Sequence, residues 1–263
     1  MNKVAIVTGG SGGIGRCTAA ALKAAGCIVY EISRTDKPAP GITHLCGDIT
    51  SDEQVRSAIG AVLGKEGRID ILVNNAGFGI SGAAEFTASS DSHRQLELNL
   101  FGMDNVTRAV LPAMREQRCG RIICVSSIAG VLPLPFQLWY SVSKAAINAY
   151  VLALQNEVRP FGITVCAVMP GDIATGFTAS REKTDAGNDV YSGRIERSVS
   201  SMERDEREGM GAETAGKYIA NTALKKSSRP LMAIGLSYKA AAIAAKLLPR
   251  ALSNRIMGRL YAK

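Results

Sequence analysis

Seven short runs rich in β-branched residues recur along this 263-residue chain, and longer stretches of helical period separate them. The runs fall at residues 4–8, 27–32, 43–45, 69–74, 120–125, 164–169 and 230–234. They are continuously apolar rather than alternating, which is the pattern of strands buried on both faces of a parallel sheet. Helical stretches at 14–25, 52–63, 93–117, 140–159 and 213–225 supply the crossovers. Strand–helix alternation with right-handed crossovers predicts an α/β fold, a doubly wound sheet of about seven parallel strands flanked by helices. No internal repeat or low-complexity linker divides the chain, so residues 1–263 read as a single domain. One stretch breaks the rhythm. Residues 176–211 carry no strand signal and many charges, and follow the sixth strand at the carboxyl edge of the sheet, where ligands bind. They read as a lid, with a short helix near 195–208.

The first strand runs into Thr8-Gly9-Gly10-Ser11-Gly12-Gly13-Ile14-Gly15 and then into a helix. Glycines open backbone angles closed to other residues and let a phosphate approach the main chain. A helix beginning near Gly13 points free N–H groups and its positive dipole end at the same place. A dinucleotide pyrophosphate suits such a turn, and a tight turn without a ligand is the plainer alternative. Further on, Tyr140 and Lys144 stand four residues apart in a helical stretch, so they share a face. A phenol near pKa 10 exchanges protons poorly at neutral pH, and a neighbouring ammonium is expected to draw it down.

The loop's T-G-x-x-x-G-x-G spacing resembles the short-chain dehydrogenase/reductase family, and further motifs arrive in that family's order. Asp48 follows the third strand, Asn74-Asn75-Ala76-Gly77 the fourth, and Asn99-Leu100-Phe101-Gly102 lies in the long helical stretch. Ser126-Ser127-Ile128-Ala129-Gly130 follows the fifth strand, then Tyr140-Ser141-Val142-Ser143-Lys144, then Pro170-Gly171-Asp172-Ile173-Ala174-Thr175 after the sixth. The match runs from residue 4 to about 175, and the apolar stretch before Tyr140 is similar to hydroxysteroid-dehydrogenase-like members.

The resemblance implies a Rossmann-type domain and four catalytic residues. Tyr140 would exchange a proton with the substrate oxygen, and Ser127, rather than Ser126, would hold that oxygen. Lys144 would hold the nicotinamide ribose, and Asn99 a water that reprotonates the lysine. A helix-kinking asparagine is the alternative for Asn99, and compatible with it. The cofactor would be held by Gly9, Ser11, Gly13, Ile14 and Gly15 of the loop, by Asp48 and Ile49, and by Asn74, Asn75, Ala76 and Gly77. Tyr140, Lys144, Pro170, Gly171, Ile173 and Thr175 complete that set; Thr175 could equally cap a helix. Asp48 is expected at the adenine amino group.

The end of the second strand distinguishes the two nicotinamide cofactors, an acid favouring NAD and an arginine accommodating the 2′-phosphate of NADP. Here the family's acidic position falls on Ser33, with Arg34 next, which favours NADP(H). A register shift of two would instead put Glu31 there and favour NAD.

Apolar residues at 131–139 and 78–80 flank the reacting groups and predict a pocket for a lipophilic ketone such as a steroid. Packing under the lid or at a subunit interface is the equal alternative for them. A 3-oxoacyl-thioester reductase is the second enzyme reading. A non-catalytic nucleotide-binding regulator is the reading from another class, and the four reacting residues together argue against it. The 140–159 helix is Ala-rich on its outer face, which by family resemblance predicts a homodimer or homotetramer.

Net charge is +8, with 31 basic and 23 acidic side chains, yet ten of the basic ones and none of the acids follow Glu213. A segment like this can attract a membrane surface or phosphate-bearing ligands, or merely keep a helix face solvated. Residues 236–263 mix apolar and basic residues at helical spacing and would lie on an anionic membrane, or pack on the sheet or a second subunit. No nucleic-acid partner is expected. The six cysteines form no CxxC pair and the two histidines are far apart, so reduced thiols and no metal are expected. Without a secretory apolar core near the start, the chain is expected in the cytoplasm, with peripheral membrane association at most.

Overall fold

The computed structural model describes residues 2–262. Strand β1 (Val4–Thr8) leads through the glycine turn into α1 (Gly13–Ala24), and β2 (Ile28–Ser33) and β3 (Thr43–Cys46) follow. Helix α2 (Asp52–Glu66) crosses back to β4 (Ile71–Asn74), and α3 (Ser89–Leu96) and α4 (Met103–Glu116) lead to β5 (Gly120–Val125). Helix α5 (Leu138–Val158) then returns the chain to β6 (Ile163–Met169). All seven sheet strands are parallel and lie in the order β3-β2-β1-β4-β5-β6 with Leu231–Ala233, β7, at the far edge. The order reverses between β1 and β4, which opens a crevice at the carboxyl ends of those strands.

Side chains of β1 show why the runs looked continuous. Val4 and Ile6 enter one core with Val55, Ile59, Val106, Val110, Ile147 and Val151 of α2, α4 and α5. Ala5 and Val7 enter the other, against Ala19 and Leu22 of α1 and Ala215 and Ile219 of α8 (Ala212–Leu224), the latter reached after α6 (Phe177–Ser180) and α7 (Arg194–Arg207). Both faces of the sheet are therefore buried.

Two expectations need correction. Residues 93–117 are not one helix: it starts earlier, at Ser89, and a π-helical segment, Glu97–Gly102, separates α3 from α4. The wider turn lets the Asn99 side chain leave the helix and bond the Phe78 backbone twice, its Oδ1 accepting from Phe78 N at 3.0 Å and its Nδ2 donating to Phe78 O at 2.9 Å. Residues 176–211 are not without strand structure either. Glu182–Lys183 pairs with Ile80–Ser81, and Met210–Gly211 with Ile173–Ala174, in two-residue parallel bridges. After β7, helices α9 (Leu236–Leu247) and α10 (Arg250–Tyr261) end the chain.

Candidate active site

The crevice is built from the loop after β1. Gly9 and Gly13 have φ of 67° and 50°, the left-handed region that glycine tolerates. Thr8 Oγ1 accepts from the amides of Asn75 (3.0 Å) and Ala76 (3.1 Å), and Asn75 Nδ2 donates to the carbonyls of Thr8 (3.1 Å) and Gly9 (3.3 Å). These bonds fasten the glycine turn to the segment after β4. Helix α1 starts at Gly13 with no acid in its first turn, so its positive end is uncompensated. Gly15 does not face the crevice. A Cβ there would collide with the Gly9 carbonyl, so its role is to let α1 sit against the turn.

A cavity of about 700 Å³ extends from this turn across the carboxyl edge of the sheet. Gly9, Ser11, Gly13, Ile14, Asp48, Ile49, Asn75, Ala76 and Gly77 line it, as do Pro170, Gly171, Ile173 and Thr175. Asn74 does not. Its Nδ2 donates to Thr107 Oγ1 at 2.8 Å inside the core, because its position on β4 points the side chain at α4. Asp48 uses Oδ1 to accept from Thr50 N (3.0 Å) and Thr50 Oγ1 (2.8 Å), which fixes the turn after β3. Thr175 Oγ1 accepts from Phe177 N at 3.1 Å, so it starts α6 while facing the cavity.

At the end of β2, Ser33 and Arg34 line the cavity. Glu31 is 0% exposed and absent from the lining, its carboxylate accepting from Ser33 Oγ at 3.2 Å and pairing with His44 Nδ1. Its side chain lies against Gly10 of the glycine turn.

Ser127, Tyr140 and Lys144 meet beside this. Ser127, two residues past β5, begins the turn at Ile128–Gly130, its Oγ accepting from Ala129 N at 3.1 Å, and lies within reach of the Tyr140 hydroxyl. Ser126 lines the cavity too, but its hydroxyl donates to Lys144 O at 2.9 Å, which leaves Ser127 as the serine that reaches the phenol. Lys144, one turn along α5, donates its ammonium to Val125 O at 2.9 Å and stands 5.6 Å from the Tyr140 ring centre. Burial pushes the Tyr140 phenol above its ordinary value, while the Ser127 hydrogen bond and the Arg181 charge resist and Glu206 and Asp172 add to the rise. Burial likewise pushes Lys144 down to about 8, opposed by Cys124. The expected lowering of the phenol by the lysine is therefore not what the pocket does: low polarity disfavours the charged form of both groups. Asn99 is buried and outside the lining. Besides Phe78 it donates to Ser143 Oγ at 3.1 Å, tying the loop after β4 to α5.

The far wall contains residues that sequence reasoning did not single out. Met202 and Glu206 come from α7, Tyr238 and Ala241 from α9, and Met257, Leu260 and Tyr261 from α10. Glu206 pairs with buried Arg181, and Asp172, also in the wall, accepts from the Tyr238 hydroxyl. Burial pushes Asp172 above the ordinary carboxylate value, the Tyr238 bond resisting. The Tyr238 ring lies where a Cβ of Gly171 would be, so that glycine was legible in sequence while its partner, 67 positions on, was not. Of the apolar residues expected to wall the pocket, Leu132 and Leu134 do so, joined by Phe177. Phe78 instead stacks under Arg94, Ile80 is in its bridge, and Phe136 packs on Tyr191 beneath α7.

The set fits a nicotinamide dinucleotide: a glycine turn at an uncompensated helix start, a long cavity, and a tyrosine–serine–lysine group at its centre. A family model described as short chain dehydrogenase matches residues 3–186. The 3-ketodihydrosphingosine reductase of Bacteroides thetaiotaomicron is 40% identical over 230 residues, covering 86% of this chain and 85% of that protein. Among solved structures, a short-chain dehydrogenase from Streptomyces avermitilis superposes with a TM-score of 0.85 at 29% identity, over 97% of this chain and 95% of that one. ElxO with NADP bound superposes with a TM-score of 0.76 at 25% identity, over 91% of this chain and 100% of that one.

Proposed function

The chain belongs to the short-chain dehydrogenase/reductase family and is an oxidoreductase acting between C=O and CH–OH groups, and from that premise we propose that it reduces a long-chain lipophilic ketone with NADPH. The observation that carries the substrate reading is the cavity lining around Tyr140, to which Leu132, Leu134, Phe177, Met202, Met257 and Leu260 contribute apolar surface. Similarity to the 3-ketodihydrosphingosine reductase supports a sphingoid-like ketone over a steroid. A bound nicotinamide supplies the hydride. Tyr140, neutral at physiological pH, donates its proton to the substrate oxygen, and Ser127 holds that oxygen as charge develops on it. Lys144 holds the ribose, and Asn99 positions α5 against the loop after β4. Loop residues Gly9, Ser11, Gly13 and Ile14 hold the pyrophosphate end.

The preference for NADPH rests on Ser33 and Arg34 in the wall and on the engagement of Glu31 with His44. The NADP-bound ElxO structure is consistent with it. Residues 176–211 act as the lid of a single domain. Helix α5 leaves Leu138, Val142 and Leu152 exposed along its outer face, which supports pairing into a dimer or tetramer there. The enzyme works from the cytoplasm on lipids at a membrane surface.

Fluorescence titration with NADPH and NADH tests the cofactor reading. NADPH is expected to bind more tightly, and Arg34→Ala to erase about tenfold or more of the difference, as a lost charge-assisted phosphate contact should. Tighter NADH binding would refute it. NADPH consumption with 3-ketodihydrosphingosine then tests the substrate, and faster turnover of a 3-oxoacyl thioester would favour the second enzyme reading.

A further inference from the structure

The last two helices carry apolar side chains on the outside. On α9, Leu236 is 85% exposed, Ile243 58% and Leu247 79%; at spacings of seven and four these form one row. On α10, Leu252, Ile256 and Leu260 form a second row at successive spacings of four, with Leu260 59% exposed. Exposed leucines and isoleucines in rows are not the usual dress of a solvated helix. Beside the first row stand Lys239 and Lys246, and beside the second Arg255 and Arg259. None of these four cations makes an ion pair among the described residues, and no acid follows Glu213 in the sequence.

The same helices wall the cavity from within. Tyr238 and Ala241 of α9 and Met257 and Leu260 of α10 line it, so Leu260 faces both the cavity and the outside. The cavity therefore reaches the surface beside Leu260, at the end of the second row.

We propose that α9 and α10 rest on an anionic lipid bilayer, their apolar rows among the acyl chains and their cations at the headgroups, with the substrate cavity opening toward the lipid. Charge selects this occupant. A second copy of the chain docking by the same face would bring cation against cation with no acid in the segment to pair them. The outer row of α5 differs: it has exposed apolar residues and no exposed cation within it, as self-association prefers. A headgroup layer of phosphates offers the complementary charge, and the acyl region beneath it accepts the leucines. No helix of the described residues is long and apolar enough to span a bilayer, so the contact is peripheral. The identity of what enters from the lipid rests on the long-chain ketone reading, whereas the docking surface itself does not.

The experiment is co-sedimentation of the full chain with phosphatidylglycerol–phosphatidylcholine vesicles and with pure phosphatidylcholine vesicles, at low and high salt. Binding is expected to favour the anionic vesicles by about tenfold or more and to weaken with salt. The Ile243→Glu/Leu247→Glu variant touches neither core nor cavity, and should bind NADPH like wild type. It is expected to lose about tenfold or more of the vesicle binding, and with it the turnover of 3-ketodihydrosphingosine embedded in vesicles, while keeping turnover in detergent micelles. Absence of wild-type binding to anionic vesicles at low salt overturns the proposal, as does undiminished binding by the variant. Conversion of the variant to a smaller oligomer without any vesicle binding by wild type would assign the face to a second copy. Vesicle binding by a protein that reduces no ketone would leave the surface standing and remove the reductase reading instead.

Discussion

Lys144 is a cation held where cations are costly, and that cost is measurable. Its ordinary value of 10.5 falls to about 8 in the folded protein because burial disfavours the ammonium. The folded state thus binds fewer protons than the unfolded chain between about pH 8 and 10.5, so this group adds stability as pH rises through that window and withholds it below. Lys144→Met removes the penalty along with the hydrogen bond to Val125 O, which offsets roughly 1 kcal/mol. At pH 7 the variant without cofactor should be more stable than wild type by about 2–3 kcal/mol in urea unfolding, given roughly 1.4 kcal/mol per pKa unit over the fall from 10.5 to about 8. The difference should shrink as pH rises from 8 toward 10.5, and reductase activity should be lost. A variant less stable than wild type at pH 7 would show that the ammonium is not penalised. Single residues also mark how far sequence reaches. Ser127, Tyr140 and Lys144 meet as their motif spacing implies, because four residues on a helix and the end of an adjacent strand leave little geometric freedom. Asn74, Gly15 and Asn99 belong to other motifs of the same family pattern yet lie outside the cavity lining, as braces of the residues beside them. A motif records that a residue type is needed and is silent on whether it touches ligand or neighbour.

Elements were legible where local period and neighbours agree. The sheet strands and α1, α2, α5 and α8 fall within a few residues of their expected positions, because each carries a run that must be buried on a known face. The π-helical break at Glu97–Gly102 was not legible, since it depends on two hydrogen bonds to Phe78, a residue 21 positions earlier. The junction of β1 with α1 depends just as finely on contact between elements. Helix α1 approaches the glycine turn so closely that any side chain at residue 15 meets the Gly9 carbonyl and the Asn75 amide. Gly15→Ala must push the helix start away from the turn, and the free N–H groups move with it. The expected result is NADPH binding weaker by about tenfold or more. Overpacking of this kind should also destabilise by about 1–3 kcal/mol. Calorimetric titration with NADPH and a thermal melt check both, and unchanged affinity would mean that the helix start is not where the phosphates sit.

At the scale of the whole molecule, Ser127, Tyr140 and Lys144 and residues of three late helices, α7, α9 and α10, line one cavity. Helix α7 is tied back through the Arg181–Glu206 pair and α9 through Tyr238 and Asp172, whereas α10 reaches them through α7. Arg194 donates to the Ala262 carbonyl from α7 (2.9 Å from Nε), and the Tyr261 hydroxyl to Asp205 at 3.2 Å, so α10 is held mainly by α7 and by the apolar contacts of Met257. No periodicity in the sequence could reveal this, because residues 250–261 read equally well as a free basic tail. Removal of residues 250–263 leaves the glycine turn, Ser127, Tyr140 and Lys144 in place and deletes Met257, Leu260 and Tyr261 from the wall. A long acyl chain would then lie partly in water, and each apolar side chain lost from contact is worth about 1.5–3 kcal/mol when fully buried. The truncated protein should bind NADPH within about threefold of wild type, because the glycine turn and the start of α1, proposed to hold the phosphates, are untouched. Its kcat/KM for a long-chain ketone in detergent micelles should fall by roughly tenfold to a hundredfold, with a far smaller loss for a short ketone. Equal losses for both chain lengths would mean that α10 supports the reacting groups rather than the substrate's tail. An unchanged ratio with full activity would place the acyl chain along another wall, beside Leu132 and Leu134 alone.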